Sequence, residues 1–305
     1  MSSPQPINKK LSCLDAVKRR RNNTSRPAVP SMAFVYSCRD RSGSMSSYGS
    51  AAAQSLFDSI QDHKKNSIDN NVKVIYSLTT FDTTAEHPYE GVDIHAVSMT
   101  LEEAQEYVNP RNLTRLYATA MEELAKLRRA IKAEKKKNPN INVVGVFELH
   151  TDGIDNKSEP FTYKDLNSAV KAARDEGITC IFAGANQDAV SVGEQYGFDP
   201  QLSLTTDSSQ VNATQGLRIA SAAVMRACSG APPQFTQLER HTSAPVEQSF
   251  DGTPPQSPTL IASPNTMAAG AALLAMRNGP SSQVGQNMLF PPPLQLTRQT
   301  NQRIV

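Results

Sequence analysis

One stretch, Ile141 to Leu149, limits the folds open to this chain more than any other feature of its sequence. All of its residues are apolar or glycine except Asn142 and Glu148. A strand of this composition is buried on both faces, as in parallel sheets that helices cover on both sides. Because parallel strands are joined by long crossover connections, which are usually helices, the stretch predicts an α/β fold.

Strand-like and helix-like segments alternate along residues 33–228, which is the pattern of a parallel sheet with right-handed crossovers. The predicted strands are 33–40, 72–81, 91–97, 141–149, 178–183 and 202–204. The predicted helices are 50–64, 101–108, 116–137, a segment between Thr162 and Gly177, 188–196 and 212–228. We predict a doubly wound, mostly parallel, Rossmann-like sheet with helices on both faces. Its strand order is 3-2-1-4-5, with the third strand antiparallel to the second.

Charge and composition divide the chain into a basic arm (1–30), a folded domain (31–230) and a tail (231–305). The arm has seven Lys and Arg against one Asp, whereas the domain has 20 basic against 25 acidic residues. The tail holds 11 of the 20 prolines and only seven charged residues, with Ser, Thr, Gln and Ala abundant. Such a segment buries too little apolar surface to fold, so we predict that arm and tail are disordered.

Clusters of basic residues occur in two places. The arm contains Lys9, Lys10, Lys18, Arg19, Arg20 and Arg21. Such clusters are typical of nuclear-import signals and of arms that bind nucleic acid, and a solvated tail without a ligand is the alternative. The second cluster ends the long helix 116–137, where cations complement the negative helix pole, with an RNA-binding face as the alternative.

The cysteines and the apolar segments favour an intracellular protein. Cys38 and Cys180 lie in apolar strand-like runs, so we predict buried, inert thiols there. None of the four cysteines has the spacing of a metal site. The longest apolar run, Met267 to Met276, has ten residues, about half of what a membrane span needs. We therefore expect no membrane partner and a cytoplasmic location, with a nuclear one as the alternative.

Oxygen-bearing side chains follow two of the predicted strands. Asp40, Ser42 and Ser44 alternate after the first strand, so they point in one direction. Asp152 follows the neighbouring apolar strand, and Thr114 precedes the long helix at the same edge of the sheet. These hard oxygens suit Mg²⁺, Mn²⁺ or Ca²⁺. The alternative is a set of ordinary turn and helix-capping residues.

Several segments at this edge resemble the von Willebrand factor A family. Asp40–Met45 is similar to its D-x-S-x-S signature, Thr114–Tyr117 to its T-x-L-Y segment and Thr151–Gly153 to its T-D-G segment. Thr80–Asp82 is similar to the end of the family's second strand. Gly184–Ala189 resembles a segment common in bacterial, phage and other viral members. The resemblance covers roughly residues 32–228.

In that family the matching residues form a metal-ion-dependent adhesion site (MIDAS). The resemblance implies that Ser42, Ser44 and Thr114 offer hydroxyl groups to the ion, directly or through water. It implies that Asp40 and Asp152 hold coordinated waters or bind the ion directly. An open coordination position would accept a carboxylate from a partner protein. We therefore predict a protein-binding module that depends on Mg²⁺, or on Mn²⁺ or Ca²⁺.

An enzyme is the less favoured reading of the same residues. The sequence has no G-x-S-x-G elbow, no phosphate-binding G-x-x-x-x-G-K-[ST] loop, no G-x-G-x-x-G motif and no D-x-D motif. His150 lies close to Asp152 in the sequence, and we assign it to packing or to the surface rather than to general-base catalysis. We predict a chain that binds and does not catalyse.

Arg39 departs from the family pattern, which has an apolar residue before the first aspartate. A cation about 8 Å from a divalent ion would cost up to about 4 kcal/mol at an effective dielectric constant near 20. The cost falls if Arg39 points away from the site or pairs with a carboxylate. Otherwise Arg39 lowers the affinity for metal or takes the place of the metal.

Overall fold

The structure is a computed structural model that describes residues 31–185, 188–207 and 210–244. Its strands are β1 (Met32–Asp40), β2 (Lys73–Phe81), β3 (Ala85–Asp93), β4 (Val143–Thr151), β5 (Thr179–Ala185) and β6 (Ser203–Thr206). They form one sheet in the order β3-β2-β1-β4-β5-β6. Only β3 is antiparallel to its neighbour among these strands. This arrangement confirms the predicted α/β fold and the predicted order of its first five strands.

Seven α-helices lie in the described residues. They are α1 (Ala51–Asp69), α2 (Leu101–Tyr107), α3 (Leu116–Lys137), α4 (Tyr163–Asp175), α5 (Ala189–Gln195), α6 (Gln210–Cys228) and α7 (Gln237–Ser243). One core contains Leu56 of α1 and Val224 of α6, and the other contains Leu124 of α3 and Val170 of α4. The helices therefore cover both faces of the sheet, and its central strands are buried as the apolar sequence of β4 requires.

The edge of the sheet differs from the sequence prediction. The third strand is Ala85–Asp93 rather than 91–97, and Ile94–Ala96 is a short 3₁₀ helix. All residues of β3 are at least partly exposed, so the strand has no alternation of apolar and polar residues that would predict it. Ile94 in this 3₁₀ helix and Val97 directly after it are buried in the core, and their apolar side chains are the reason that the sequence predicts a strand here.

The fold continues beyond residue 230, where the sequence analysis ended the domain. Phe235 is buried in the core, and α7 follows it with Thr236 and Glu239 forming a capping box. Ser243 donates a hydrogen bond to the backbone carbonyl of Thr205 in β6, which fixes α7 to the sheet. The described fold therefore extends to Ala244. Within the described ranges, no helix is both long and apolar enough to cross a membrane.

Two glycines that end helices provide a matched test of backbone constraint. Gly177 after α4 and Gly197 after α5 both have positive φ, of 84° and 91°. A Cβ on Gly177 would meet nothing within 4 Å, whereas one on Gly197 would lie 2.6 Å from the carbonyl oxygen of Asn167. We expect Gly177→Ala to lower the free energy of unfolding by about 1 kcal/mol and Gly197→Ala by about 2 to 4 kcal/mol.

Urea denaturation of the two variants measures this difference directly. Both substitutions introduce the same left-handed backbone strain. The difference between the two losses in the free energy of unfolding therefore measures the cost of the contact with Asn167. Equal losses of stability in the two variants would contradict the assignment.

Candidate metal centre

The structure brings the five predicted site residues to one rim of the sheet. Asp40 is the last residue of β1 and Asp152 follows β4, and these two strands are hydrogen-bonded neighbours. Ser42 and Ser44 lie in the turn after β1, and Thr114 lies in the loop before α3. Because the carboxyl ends of parallel strands lie at the same edge of a sheet, the order of the strands brings these side chains together.

A chain of hydrogen bonds connects four of these residues. The backbone N–H of Ser42 donates to Asp40 Oδ1 at 2.7 Å. The hydroxyl oxygens of Ser42 and Ser44 lie 3.1 Å apart. The hydroxyl of Ser44 donates to Asp152 Oδ1 at 2.7 Å. The strand-ending motif and the T-D-G segment therefore meet through side-chain oxygens.

Thr114 faces the same space from the third segment. A Cβ placed on Gly153 would lie 3.4 Å from Ser44 Oγ and 3.7 Å from Thr114 Oγ1. Both hydroxyls therefore lie within van der Waals contact of the position that a Cβ at residue 153 would occupy. A site for a small cation needs such a cradle of oxygen atoms, and the residues present fit it.

Residues after Asp152 hold Thr114 in place. The backbone N–H of Thr114 donates to Asn156 Oδ1 at 2.7 Å, and the N–H of Asn156 donates to the carbonyl of Thr114 at 3.0 Å. Asp155 Oδ1 accepts from the N–H of Tyr117 at 3.1 Å, and Ser158 caps the next position of α3. These neighbours cap the helix, so the hydroxyl of Thr114 is not its cap, contrary to the alternative reading of the sequence.

The two carboxyl groups of the site both have raised pKa values. Asp40 is buried, and burial raises its pKa to about 6. Repulsion from Asp152 adds to this increase, whereas the hydrogen bond that Thr151 Oγ1 donates to Asp40 Oδ2 at 2.6 Å opposes it. Burial also raises the pKa of Asp152, against the hydrogen bond from Ser44. Two partly desolvated carboxyl groups close together favour a counter-charge between them. A divalent cation supplies one.

Arg39 does not face the site. Its guanidinium pairs with Glu148 at 3.0 Å, and both side chains are buried. It also donates to Ser37 Oγ at 2.9 Å and contacts His150 Nδ1 at 2.8 Å. Pairing with a carboxylate is one of the two arrangements that reduce its repulsion of a cation. Arg39 and Glu148 therefore form a buried ion pair beneath the rim.

His150 is part of the same buried cluster. Its Nε2 lies 2.6 Å from Glu148 Oε1, and burial together with Arg39 lowers its pKa. Although burial opposes its charge, Arg39 and His150 hold the pKa of Glu148 well below the usual value for glutamate. The packing role predicted for His150 is therefore observed, and its ring is not on the surface.

A second ion-pair cluster escaped the sequence analysis. Arg41, between two predicted ligands, is buried and donates from Nε to Asp82 Oδ2 at 3.0 Å. Arg111 donates to the same oxygen at 2.6 Å, and both guanidinium groups pair with Glu86. The N–H of Arg111 also donates to the carbonyl of Arg41 at 2.8 Å. The cluster ties the loop that carries Thr114 to the turn after β1. Asp82 directly follows β2 at this rim, and that position was a usable signal.

Some predicted features are only partly visible. The basic arm with Lys9, Lys10, Lys18, Arg19, Arg20 and Arg21 lies outside the described residues, as do residues 245–305 of the tail. Of the Gly184–Ala189 segment, Asn186 and Gln187 are not described. Cys38, Cys180 and Cys228 are buried free thiols, as predicted for the first two.

Comparisons with known proteins give structural similarity only. No family model and no curated protein matches the sequence. Proximal thread matrix protein 1 from the mussel byssus is 17% identical over 65% of this chain and 47% of its own, at a TM-score of 0.43. A structure of that mussel protein with a zinc-occupied MIDAS motif is 18% identical over 63% of this chain and 48% of its own, at 0.45. A von Willebrand factor type A structure from Catenulispora acidiphila is 18% identical over 65% and 43%, at 0.42. This chain spans less than half the length of each.

Proposed function

We propose that this chain is a member of the von Willebrand factor A family that binds a partner protein through a divalent cation. Its ligands would be Asp40, Ser42, Ser44, Thr114 and Asp152, and the ion would be Mg²⁺, Mn²⁺ or Ca²⁺. The observation that carries the proposal is the hydrogen-bonded series from Asp40 through the two serines to Asp152, with Thr114 beside it. Three separate segments of sequence supply these oxygens.

The ligand types favour a cation that keeps affinity for a further acidic group. In the described residues, no cluster of three or more His, Cys, Asp or Glu side chains could hold a metal, so the site would combine two carboxyl groups with three hydroxyl groups. Neutral hydroxyls do not cancel the ion's charge, which leaves attraction for an outside carboxylate. Oxygen ligands also fit Mg²⁺ or Mn²⁺ better than ions that prefer sulfur.

Exposed apolar side chains surround this rim and would contact the partner. Leu113 precedes Thr114 and is 46% exposed, and Ile154 follows the T-D-G segment and is 70% exposed. Phe161 and Tyr163, which lie where the same loop enters α4, are 43% and 38% exposed. Contiguous apolar surface of this kind marks interaction sites, and these four side chains are where we propose that the partner makes its apolar contacts. We infer that the partner presents an acidic residue flanked by apolar ones.

A binding role without catalysis is part of the proposal. His150, the residue that general-base chemistry would use, is buried and bound by Glu148 and Arg39. A buried ring in contact with two charged partners is out of reach of a substrate at the rim. A cytoplasmic or nuclear location stays a prediction from the sequence.

Calorimetric titration of the full chain with Mn²⁺ tests the metal half of the proposal. We expect one binding site and an increase in Tm, since a ligand that binds only the folded state stabilises it. A folded protein that shows no heat of binding and no change in Tm would overturn the proposal.

The partner half is tested by comparing two equally exposed isoleucines. Ile154 lies at the rim, and Ile68 lies in the last turn of α1, and each is 70% exposed. In a pull-down, we expect the partner to be retained in Mn²⁺ and released by EDTA. Ile154→Ser should lose the partner while keeping Mn²⁺ binding, and Ile68→Ser should keep both. Capture that survives EDTA would place recognition elsewhere on the chain.

Metal affinity should depend on pH through Asp40, whose pKa is about 6. A ligand must lose its proton to bind a cation, so affinity is full above this pKa and falls about tenfold per pH unit below it. Without a cation the sign is opposite, since the raised pKa makes the charged form unfavourable and stability falls as pH rises from about 4 to about 6. Mn²⁺ titrations between about pH 5 and pH 8 measure the effect. Constant affinity across this range would contradict the role of Asp40.

A further inference from the structure

A surface groove lies at the end of the domain away from the candidate metal centre. It has a volume of about 640 Å³ and is bounded by the second half of α3 and the segment between α4 and β5. Thr114 lies just before α3 begins at Leu116, and Lys132 lies about 24 Å along that helix at 1.5 Å per residue. The groove also adjoins Ile178, just before β5 begins, so it is at the amino ends of the parallel strands. The candidate metal centre is at their carboxyl ends.

The floor of the groove is apolar. It is made by Ala125 and Ile131 of α3 together with Ile178. Gly145 of β4 gives these residues room, because a Cβ there would lie 2.3 Å from Ile131 Cδ1 and 3.3 Å from Ile178 Cγ1. The missing side chain lets both isoleucines settle against the sheet. Ala125 is partly exposed and the two isoleucines are largely buried, so the floor offers a small apolar surface beneath the charged rim.

The rim of the groove is positively charged. Arg129, Lys132 and Lys135 line it, and in the described part of the chain none of them forms a salt bridge. The wall also holds Arg128 and Glu176, which pair with each other through two hydrogen bonds. The groove is thus basic on a domain whose residues 31–230 are net acidic. Such local segregation of charge attracts acidic ligands.

The negative pole of α3 accounts for only part of this charge. Basic residues complement a helix pole within the last turn, which here contains Lys135, Lys136 and Lys137. Arg129 and Lys132 lie before that turn and line the groove instead. The helix pole therefore does not account for the positions of Arg129 and Lys132.

We propose that this groove binds an acidic peptide segment of a second protein, with an apolar side chain on the floor and carboxylates at Arg129, Lys132 and Lys135. The groove is lined by no aromatic residue on which a base could stack, so a peptide fits better than a single-stranded nucleic acid. The undescribed ends of this chain are poor candidates, because 1–30 contains one acidic residue and 245–305 contains two. This inference does not depend on the proposed metal site.

Fluorescence anisotropy with the full chain tests the proposal. The probe is a fluorescein-labelled peptide of alternating glutamate and leucine, and a thymidine oligonucleotide serves as the competing polyanion. We expect Lys132→Glu with Lys135→Glu to weaken peptide binding at least about tenfold. The matched control is Lys136→Glu with Lys137→Glu, which makes the same change of charge on the same helix end outside the groove. It should weaken binding less than about threefold.

The control also accounts for the basic arm, which both double variants retain. Replacing the leucines of the peptide by serine should reduce binding, because the floor is apolar, and EDTA should leave it unchanged. Equal losses in the two double variants, or tighter binding of the oligonucleotide than of the peptide, would overturn the proposal. Abolition by EDTA would place the peptide at the metal rim and would overturn it as well. Circular dichroism confirms that the exposed substitutions leave the fold intact.

Discussion

Replacing Asp40 by asparagine should reduce the affinity for Mn²⁺ at least about 100-fold. The substitution keeps an oxygen that can accept from the N–H of Ser42, but it removes the charge that would face the cation. Residues that only support a metal ligand already change affinity about 10- to 100-fold, so a charged ligand should have at least that effect. Calorimetric titration of the full chain measures the change.

The matched control for this substitution is Ser46→Ala. Ser46 lies in the same serine-rich turn and is exposed, but it is not among the oxygens that converge at the rim. It should bind Mn²⁺ as the wild type does. In EDTA, Asp40→Asn should be as stable as the wild type or more so at neutral pH, because burial raises the pKa of Asp40 and its charged form is unfavourable there. If Asp40→Asn binds Mn²⁺ normally, Asp40 is not a ligand.

Replacing Glu148 by glutamine should lower the free energy of unfolding by about 3 to 5 kcal/mol. The substitution preserves shape but leaves the guanidinium of Arg39 buried without a counter-charge. Removing one partner of a buried ion pair is costly for this reason, whereas replacing both by apolar residues is often neutral. The double variant Arg39→Leu with Glu148→Leu should therefore be more stable than Glu148→Gln.

Urea denaturation of Arg39→Leu, of Glu148→Leu and of the double variant gives the coupling energy of the pair. The single substitutions should each be more harmful than the double one. If the effects of the single substitutions simply add, Arg39 and Glu148 do not depend on each other. Mn²⁺ titration of the double variant then measures whether removing both charges beneath the rim changes the affinity for the metal through the repulsion between Arg39 and a cation.

The central sheet could be read from the sequence because its strands carry their own signal. The apolar run of β4 is buried, as its composition requires, and its place beside β1 follows from the rules of right-handed crossovers. The edge strand β3 carries no such signal, since solvent on its exposed side removes the need for apolar residues. Helix α7 was not predicted because it lies in the part of the chain whose composition indicates disorder. Thr236 and Glu239 nevertheless have the spacing of a capping box.

The position of the five predicted site residues at one rim could be inferred from the sequence, whereas the ion pairs beside them could not. Asp40, Thr114 and Asp152 follow strands or precede a helix, so topology alone places them at one rim. The partner of Arg39 could not be chosen, because Glu148 is 109 positions away and several other carboxylates were available. The role of Arg41 was equally unpredictable, since its partner Asp82 lies in the turn after β2 and its partner Glu86 lies in β3. Long-range ion pairs of this kind need the folded geometry.

The hydrogen bonds among Ser42, Ser44 and Asp152 would keep the domain folded when no cation is bound. In the structure these groups satisfy one another, so a cation would exchange places with existing bonds rather than complete an unfinished core. In small zinc domains, by contrast, withdrawal of the ion unfolds the chain. Here chelation should release the partner and leave a competent domain. Binding of the partner would then depend reversibly on the concentration of the free divalent cation, and the domain would not need to refold between one binding event and the next.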